Sequence, residues 1–502
     1  MVLLGEYLFV SEMIAVEMNS EHLGVSTQML MEAAGKSVAD ETARRLKPGS
    51  RVVVASGLSG NGGDGFVAAR HLAGMGYEVE VLVLGDPADI KLENTRVNYE
   101  AVRKMSSSIQ ITVIKDSSLI PEIKADAIID GLIGTSMQGA LRPPYLQMVQ
   151  ALNGAKAYKV AIDVPTGLVA DTGAAHGECL QADLTVTFHK AKKGYEGKPR
   201  QAGELVVAPI GVPPEAELYT GPGDVAMVHP KRKPDSHKGM HGSLLVVGGS
   251  ETYSGAPALT AMAAYAAGCD LVYVAIPETA APAVAGFSPS LITVKLDGKR
   301  LTTSNVEEIK PFLEKVDAVA IGPGLGQHEK TVEAYTRLHE IIQGRGLPMV
   351  VDADGLKAYA QTKPGVKAPL VFTPHGREFQ LLTGRKAEGG FKERGAVVEK
   401  AAKKLGAVVL LKGSVDVVSD GRVTRYNWTG NPGMTVGGTG DVLTGLAAGY
   451  IAMGAEPYYA ACASAFINGA AGDKVYEMKG YHLLPEDLVE EIPYVVEGCL
   501  RK

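Results

Sequence analysis

The feature that most constrains the fold is a regular alternation of short apolar runs with helical stretches. In the first half the apolar runs are RVVVAS, EVEVLVL, ITVIK, AIID, YKVAID, LTVTF and ELVVAPI, at 51–56, 78–84, 111–115, 127–130, 158–163, 184–188 and 204–210. Runs that are apolar throughout indicate strands buried on both faces, and intervening helices indicate a parallel sheet covered on each side. The first half is therefore predicted to be a Rossmann-like doubly wound α/β domain. Helices are expected to precede it within residues 1–48.

The same alternation restarts in the second half, after a break. Residues 210–234 are rich in Pro and Gly and show no periodicity, so a domain boundary is expected there. Strand-and-loop units follow, with the sequences GSLLVVGG, LVYVAIP, DAVAIGPGLG, PMVVDADGL, LVFTPH and VVLLKG. A chain of 502 residues also exceeds one ordinary domain. We predict two α/β domains, 1–215 and 216–502.

Composition limits the possible partners and compartments. A net charge of −6 argues against a nucleic-acid partner. The basic string at 229–241 resembles a nuclear-localisation signal, but its prolines favour a solvated linker. The cysteines are far apart, which predicts a reducing compartment and no structural zinc; they are Cys179, Cys269, Cys462 and Cys499.

Targeting and membrane segments are not expected. The N-terminal apolar stretch contains Glu6 and Glu12, so no signal peptide is predicted. The longest uncharged apolar run, 442–455, is shorter than the ~20 residues that cross a bilayer. A cytoplasmic protein without membrane contact is predicted.

Polar loops of the first half are expected at one edge of its sheet, because ligands of open α/β sheets bind outside the carboxyl ends of the strands. Three loops follow strands there: SGNGGDG at 59–65, DGLIGTSMQGALRPPY at 130–145, and DVPTGL at 163–168. The first is expected to precede a helix that begins near Phe66. The loops bring three acids, Asp64, Asp130 and Asp163, to the same edge.

Any one of these acids is more often a turn former or a helix cap. Three at successive strand ends predict a functional site. Oxygens of Asn61, Asp130 and Thr166 could bind a hard cation, with backbone carbonyls completing the shell.

A glycine-rich stretch in the second half, Asn431–Gly445, reads NPGMTVGGTGDVLTG and leads into an apolar run. A glycine-rich turn before a helix aims backbone N–H groups and the positive end of the helix dipole at an anion. Asp441 would repel that anion, so we interpret it as a base beside a group to be phosphorylated. The alternative is a tight turn in which Asp441 is the helix N-cap.

Taken together, the motifs carry a family resemblance. GNGGDG, DGLIGT, DVPTGL, GPGLG, DADG, TPH, LKG and GGTGDVLTG, in this order, resemble the bifunctional NAD(P)H-hydrate repair enzymes over nearly the whole chain. These are NAD(P)HX epimerases fused to ADP- or ATP-dependent NAD(P)HX dehydratases, and the second half also resembles the wider ribokinase superfamily, whose fold it is expected to share. The resemblance implies NADHX and NADPHX as substrates, hydrated at the 5,6 double bond of the nicotinamide ring. The epimerase interconverts the R and S forms, and the dehydratase restores the S form, with ADP expected as the donor rather than ATP.

For the first domain the resemblance implies one set of substrate contacts and one cation site. Potassium would be bound by Asn61, Asp130 and Thr166, and Asp163 would assist departure of the C6 hydroxyl. The implied substrate contacts are Gly60, Asn61, Gly62, Gly63, Asp64, Gly134, Thr135, Ser136, Met137, Gln138, Gly139, Ala140, Tyr145 and Asp163.

For the second domain the resemblance implies that Asp441 deprotonates the C6 hydroxyl, with Mg²⁺ accompanying the nucleotide. The implied substrate contacts are Ala256, Gly324, His375 and Asp441. The nucleotide contacts are expected from Lys412, Gly413, Ser414, Val415 and Asp416, and from the glycine-rich turn of Gly437, Gly438, Thr439 and Gly440.

The chain departs from the family pattern at a few positions. Gly60 stands where an Asn is usual, and Thr166 replaces the commoner Ser. Gly376 and Arg377 replace a Pro-Gly pair, which puts the shape of that loop in question. His375 taken alone is more often a hydrogen-bonded structural group, and Asp352 and Asp354 are interpreted as turn formers.

Two other functions fit part of the pattern. A ribokinase-type kinase of a sugar or vitamin precursor would explain GGTGD but not the motifs of the first half. A non-enzymatic dinucleotide sensor would not need carboxylates such as Asp163 and Asp441. Self-association into a homo-oligomer is expected from the resemblance.

Overall fold

The computed structural model describes residues 5–501, which fall into two compact units divided after Pro213. The sequence places the boundary after residue 215, within the same Pro-rich segment. Among residues 5–501, none of the helices is both long enough and apolar enough to cross a bilayer.

The first unit alternates strands and helices from its first described residues. Its strands are β1 Tyr7–Leu8, β2 Arg51–Ser56, β3 Glu78–Leu84, β4 Ile109–Ile114, β5 Ala127–Gly131, β6 Tyr158–Ile162, β7 Leu184–Phe188, β8 Ala191–Lys192 and β9 Glu204–Ala208. Its α-helices are α1 Val10–His22, α2 Thr27–Ala43, α3 Gly60–Gly74, α4 Glu93–Arg103 and α5 Tyr145–Gly154. Short 3₁₀ turns occupy Pro87–Asp89, Ser117–Leu119, Lys193–Gly197 and Arg200–Ala202.

The main sheet of this unit is parallel throughout and has the order β4-β3-β2-β5-β6-β7-β9. The chain order reverses between β2 and β5, which makes the crevice beyond their carboxyl ends the expected ligand position. A separate parallel pair joins β1 to β8. The Rossmann-like arrangement expected from the apolar runs is confirmed.

The second unit contains a larger sheet. Its strands are β10 Ser243–Val247, β11 Leu271–Pro277, β12 Ile292–Leu296, β13 Ala318–Ile321, β14 Met349–Val351, β15 Leu370–Phe372, β16 Val408–Leu411, β17 Asp416–Ser419 and β18 Thr424–Asn427. Its α-helices are α6 Pro214–Leu218, α7 Pro222–Val228, α8 Gly255–Ala266, α9 Ala281–Phe287, α10 Asn305–Ile309, α11 Glu329–Gly344, α12 Ala353–Thr362, α13 Gly376–Thr383, α14 Phe391–Leu405, α15 Thr439–Ala452, α16 Pro457–Lys479 and α17 Pro485–Leu500. A 3₁₀ turn spans Pro432–Thr435.

This sheet has the order β12-β11-β10-β13-β14-β15-β16-β17-β18 and is parallel except for β17, which pairs antiparallel with both β16 and β18. Apolar cores lie on both of its faces. Helices α8 and α15 pack closely because both are built from small residues. A Cβ at Gly445 would overlap the carbonyl oxygen of Thr260. This close packing fixes the first turn of α15, which carries Asp441.

One local expectation is wrong. Helix α3 begins at Gly60, not near Phe66, so GNGGDG forms the first turns of the helix rather than a loop. A Cβ at Gly62 would overlap the carbonyl oxygen of Gly57, and one at Gly63 would lie 2.6 Å from Met31 Cε. The glycines are needed because the start of the helix is pressed against its neighbours, which a run of glycines in the sequence does not reveal.

Candidate active sites

Asp163 is the most constrained acid of the first unit. It follows β6 with a left-handed backbone (φ 59°), which Asp tolerates better than most residues. Its Oδ1 accepts hydrogen bonds from Thr187 Oγ1 (2.8 Å), Phe188 N (3.2 Å) and Lys192 Nζ (2.5 Å). The hydroxyl of Tyr195 donates to its backbone carbonyl at 2.7 Å. Asp163 is thus held in place by an ion pair with a fully buried lysine.

Two further acids interact with this ion pair. Burial raises the pKa of Glu17, on α1, to about 7, with Lys192 opposing the shift and Asp163 adding to it. Burial, followed by the charges of Asp163 and Glu17, raises the pKa of Asp64 well above its usual value. The structure therefore groups Asp64 and Asp163 with Glu17 and Lys192. Neither Glu17 nor Lys192 belongs to a motif, and sequence reasoning missed both.

Asp130 belongs to a second corner of the same edge. Its carboxylate is fully buried and accepts hydrogen bonds from Thr166 N (2.8 Å), Thr166 Oγ1 (2.7 Å) and Leu132 N (3.2 Å). Burial raises its pKa to about 6 in spite of these bonds. Thr166 Oγ1 also contacts the backbone of Ile133, whose N–H donates to it at 3.1 Å.

Asn61 meets this corner from α3. A Cβ at Gly134 would lie 2.8 Å from Asn61 Oδ1, and the buried Asn61 Nδ2 has no hydrogen-bond partner among residues 5–501. Amide, carboxylate and hydroxyl oxygens from Asn61, Asp130 and Thr166 thus surround the segment 130–134. This donor set suits a hard cation such as K⁺.

The implied substrate contacts in the loop after β5 and at the start of α5 are partly exposed and partly buried. Met137 is buried in the apolar core, whereas Gln138, Gly139 and Ala140 are exposed in the same loop. Tyr145 is the first residue of α5, and burial raises its pKa.

The second unit has a cavity of about 550 Å³ at the start of α15. Of the implied nucleotide contacts, Lys412, Gly413, Ser414, Asp416, Thr439 and Gly440 line it, and so does His375. Val415 instead packs against the apolar core, and Gly438 lies against Pro485. The stretch Asn431–Gly445, which the sequence analysis singled out, also contributes Asn431, Pro432, Met434, Thr435 and Leu443 to the lining. Sequence reasoning missed the remaining lining residues, Thr429, Gly430, Asn468 and Gly469.

Two glycines of the glycine-rich turn, Gly437 and Gly440, have space around them, whereas glycines at the start of α3 are closely packed. A Cβ at Gly437 would meet nothing within 4 Å, and one at Gly440 would meet only the side chain of Lys412, 3.1 Å from Nζ. Gly438 has a φ of 110° and crowded surroundings, so it is needed for the turn itself.

Asp441 lies in the first turn of α15, where burial and then the charge of Asp352 raise its pKa to about 7. Thr260 Oγ1 lies 3.1 Å from both Asp441 O and Ala256 O, which joins the starts of α15 and α8. Gly324 (φ 68°) lies against Tyr253. Ala256, Gly324 and Asp441 do not line the cavity of about 550 Å³, although Gly440, the residue before Asp441, does. Asp441 is a carboxyl with the proton affinity of a base at neutral pH.

The interpretation of Asp352 as a turn former is wrong. It is 2% exposed, its side chain does not cap α12, and it accepts hydrogen bonds from Lys412 Nζ and Thr444 Oγ1, each at 2.8 Å. Asp354 accepts hydrogen bonds from Lys357 Nζ, three residues along the chain, and from the backbone N–H of Gly326, 28 residues away, each at 2.9 Å.

His375 caps helix α13. Its Nδ1 accepts from the backbone N–H groups of Arg377 and Glu378, and Glu378 Oε2 accepts from His375 N at 3.0 Å. A Cβ at Gly376 would meet nothing within 4 Å, and Arg377 is exposed. The Gly-Arg pair therefore leaves the cap intact.

Comparisons with known proteins cover both units. A model of the YjeF-related protein N-terminus matches residues 27–194, and one of NAD(P)H-hydrate dehydratase matches residues 244–494. The bifunctional NAD(P)H-hydrate repair enzyme Nnr of Hyperthermus butylicus is 45% identical over 98% of this chain and 92% of its own length. The protein of the same name from Pyrobaculum aerophilum is 44% identical over 97% of each chain.

A solved structure supports the fold of the second unit. A ribokinase-like superfamily protein from Enterococcus faecalis has a TM-score of 0.51 and 23% identity, covering 57% of this chain and 97% of that one. The relatives match both halves, which a ribokinase-type kinase with an added domain does not explain. The resemblance found in the sequence is confirmed, and the chain belongs to the family of bifunctional NAD(P)H-hydrate repair enzymes.

Proposed function

We propose that the first unit epimerises R- and S-NAD(P)HX and that the second dehydrates S-NAD(P)HX to NAD(P)H, with ADP, or else ATP, as phosphoryl donor. The observation that carries this division is the contrast between the two carboxylates. Asp163 is paired with Lys192, whereas the pKa of Asp441 is raised beside a cavity able to hold a nucleotide.

For epimerisation, the lone pair of the ring nitrogen expels the C6 hydroxyl, which takes a proton and leaves as water. Water then returns to C6 from either face and gives up a proton. Asp163 borders the departing oxygen, and Lys192, 2.5 Å from its Oδ1, is the adjacent proton source. A positioned acid or base of this kind is worth about 10²–10⁴ in rate.

Asn61, Asp130 and Thr166 would hold potassium in the first unit, where the ion would supply positive charge near the phosphates of the substrate. The support is the set of oxygen atoms that Asn61, Asp130 and Thr166 bring to segment 130–134.

For dehydration, Asp441 takes the proton of the C6 hydroxyl as its oxygen attacks the terminal phosphorus of the donor, and the shortened nucleotide leaves. Backbone N–H groups of the turn 437–440 and the Lys412 ammonium stabilise charge on the transferred group. The C6–O bond then breaks with loss of a C5 proton, releasing phosphate and restoring the double bond. Mg²⁺ bound with the nucleotide would neutralise phosphate charge.

Two reciprocal variants of the full chain test the assignment. R- and S-NADPHX are supplied separately, with ADP and then ATP, while reduced nicotinamide is followed by absorbance and the epimers by chromatography. Asp441→Asn should interconvert the epimers without forming NADPH, and should still bind ADP. Asp163→Asn should convert S-NADPHX but not R-NADPHX.

Each variant is the folding control for the other, since one activity is expected to survive in each. Epimerisation at the normal rate in Asp163→Asn would overturn the role of that residue. NADPH formation by Asp441→Asn at the normal rate would overturn the role of Asp441 as the base. Self-association and a cytoplasmic location stay predictions.

A further inference from the structure

Asp352 joins three separate elements of the second unit. It follows β14, its Oδ1 binds Lys412 at the end of β16, and its Oδ2 binds Thr444 on α15. The next residue, Ala353, has a φ of 48°, a costly conformation for a residue with a Cβ. A Cβ at Gly322 would overlap the carbonyl oxygen of Asp352. The position of this carboxylate is therefore fixed by its surroundings.

The first consequence concerns Lys412. Its Nζ would lie 3.1 Å from a Cβ at Gly440, so the ammonium stands over the glycine-rich turn and lines the cavity. Burial is the largest single influence and disfavours this charge, but Asp352, followed by Glu378 and Asp441, together outweigh burial and keep the pKa of Lys412 above its usual value. Lys412 thus stays charged and aimed at the place where phosphates would lie.

The second consequence concerns helix α15. Thr444 Oγ1 lies 2.8 Å from Asp352 Oδ2 and 3.0 Å from Gly440 O, so the same hydroxyl joins the carboxylate to the first turn of the helix. Thr373, the residue after β15, contacts the hydroxyl of Thr444 at 3.4 Å through its own hydroxyl. Thr444 therefore links the turn that carries Asp441 to Asp352, the partner of Lys412.

We propose that Asp352 is a positioning residue for the phosphate end of the nucleotide, holding Lys412 on one side and, through Thr444, the first turn of α15 on the other. The role rests on the proposed dehydratase function. It also affects the base, because four charged groups act on Asp441: Asp352, Lys412, Glu378 and Asp354. After burial, Asp352 is the largest cause of the raised pKa of Asp441.

The test is Asp352→Asn in the full chain. Asparagine keeps the size of the side chain but removes its charge. ADP affinity, measured by titration calorimetry in Mg²⁺, should fall about tenfold, because Lys412 loses its anionic partner. The acid limb of kcat/KM for S-NADPHX should move down by about one pH unit, since a negative neighbour of Asp441 is gone. A loss of general stability alone would not move the limb.

The matched control is Asp354→Asn, which removes the same charge two residues along but contacts neither Lys412 nor Thr444. Its ADP affinity should stay within about twofold of the parent protein. The proposal would be overturned if Asp352→Asn kept both the ADP affinity and the acid limb of kcat/KM of the parent protein. It would also be overturned if Asp352→Asn and Asp354→Asn changed the ADP affinity equally.

A second pair keeps the proposal testable if Asp352→Asn does not fold. Thr444→Val should lower kcat severalfold and Thr444→Ser should restore it, because only the hydroxyl reaches Asp352; equal kcat in both variants would overturn the link. If the parent protein forms no NADPH from NADPHX, the proposed function fails. ADP binding by the Asp352 and Asp354 variants still decides the role of Asp352.

Discussion

The two carboxylates that carry the proposed chemistry, Asp163 after β6 and Asp441 in the first turn of α15, have opposite surroundings. Asp163 receives three hydrogen bonds on one oxygen, one of them from buried Lys192. The lysine beside Asp441, Lys412, gives its hydrogen bond to Asp352 instead. The fold therefore places a lysine against the Asp163 carboxylate, whereas burial and the charge of Asp352 disfavour the ionised form of Asp441. The nearest lysine thus distinguishes the two carboxylates, because Lys192 binds Asp163 itself whereas Lys412 binds Asp352.

The same substitution should have opposite effects on stability at the two positions, and the larger effect is expected at Asp163. Asp163→Asn leaves Lys192, 1% exposed, without its anionic partner, while Asn still tolerates the left-handed backbone. The free energy of unfolding of the first unit should fall by about 3 kcal/mol. Urea unfolding of the full chain measures it, with the second unit as internal reference.

The double variant Asp163→Asn with Lys192→Met provides the control. It removes both charges, so part of the lost stability should return. A single-variant loss below about 1 kcal/mol would show that the ion pair is not what holds Asp163.

Asp441→Asn should instead stabilise the second unit. The pKa of Asp441 is raised to about 7 from an ordinary 3.8, so the protonated form is favoured by folding. Its contribution is fully present below pH 4 and is lost as pH rises through about 7. At pH 8, without nucleotide, the variant should be more stable by about 2 kcal/mol, and the difference should vanish near pH 4. A thermal denaturation series across this range measures it; a variant less stable at pH 8 would contradict the contrast.

The same pKa sets the pH dependence of dehydration. Asp441 acts as a base only when ionised, so kcat/KM for S-NADPHX should fall about tenfold per pH unit below about 7. The Asp163→Asn variant, assayed on the S form, should show the same limb, because the titrating group lies in the other unit. If the acid limb of the kcat/KM profile shifted in this variant, the titration could not belong to Asp441.

The parts of the fold that depend on local pattern were predictable. The apolar runs located β2, β3 and β7 with the observed bounds, because strands buried on both faces must be apolar throughout. The motifs also located Asp163 and Asp441, since both stand at the end of a strand or in the first turn of a helix.

The partners of those acids were not predictable. Lys192 lies 29 residues after Asp163 in a lysine-rich segment, and Asp352 is separated from Lys412 by 60 residues and from Thr444 by 92. Contacts over such separations depend on strand order, and a polar residue after a strand looks the same whether it caps a helix or binds a buried lysine. The pairing that distinguishes the two sites is a tertiary property.

The smallest expected effect separates the two uses of glycine at the start of α3. A Cβ at Gly60 would meet only Leu92 Cδ1, at 3.9 Å, whereas one at Gly62 would overlap the carbonyl oxygen of Gly57. Gly60→Ala should therefore raise the free energy of unfolding of the first unit by about 0.5–1 kcal/mol, because alanine costs the helix less conformational entropy. Gly62→Ala, the matched control two positions along, should lower it by about 3 kcal/mol. Urea unfolding of both variants checks the pair, and equal changes would mean that close packing does not explain why this helix begins with glycines.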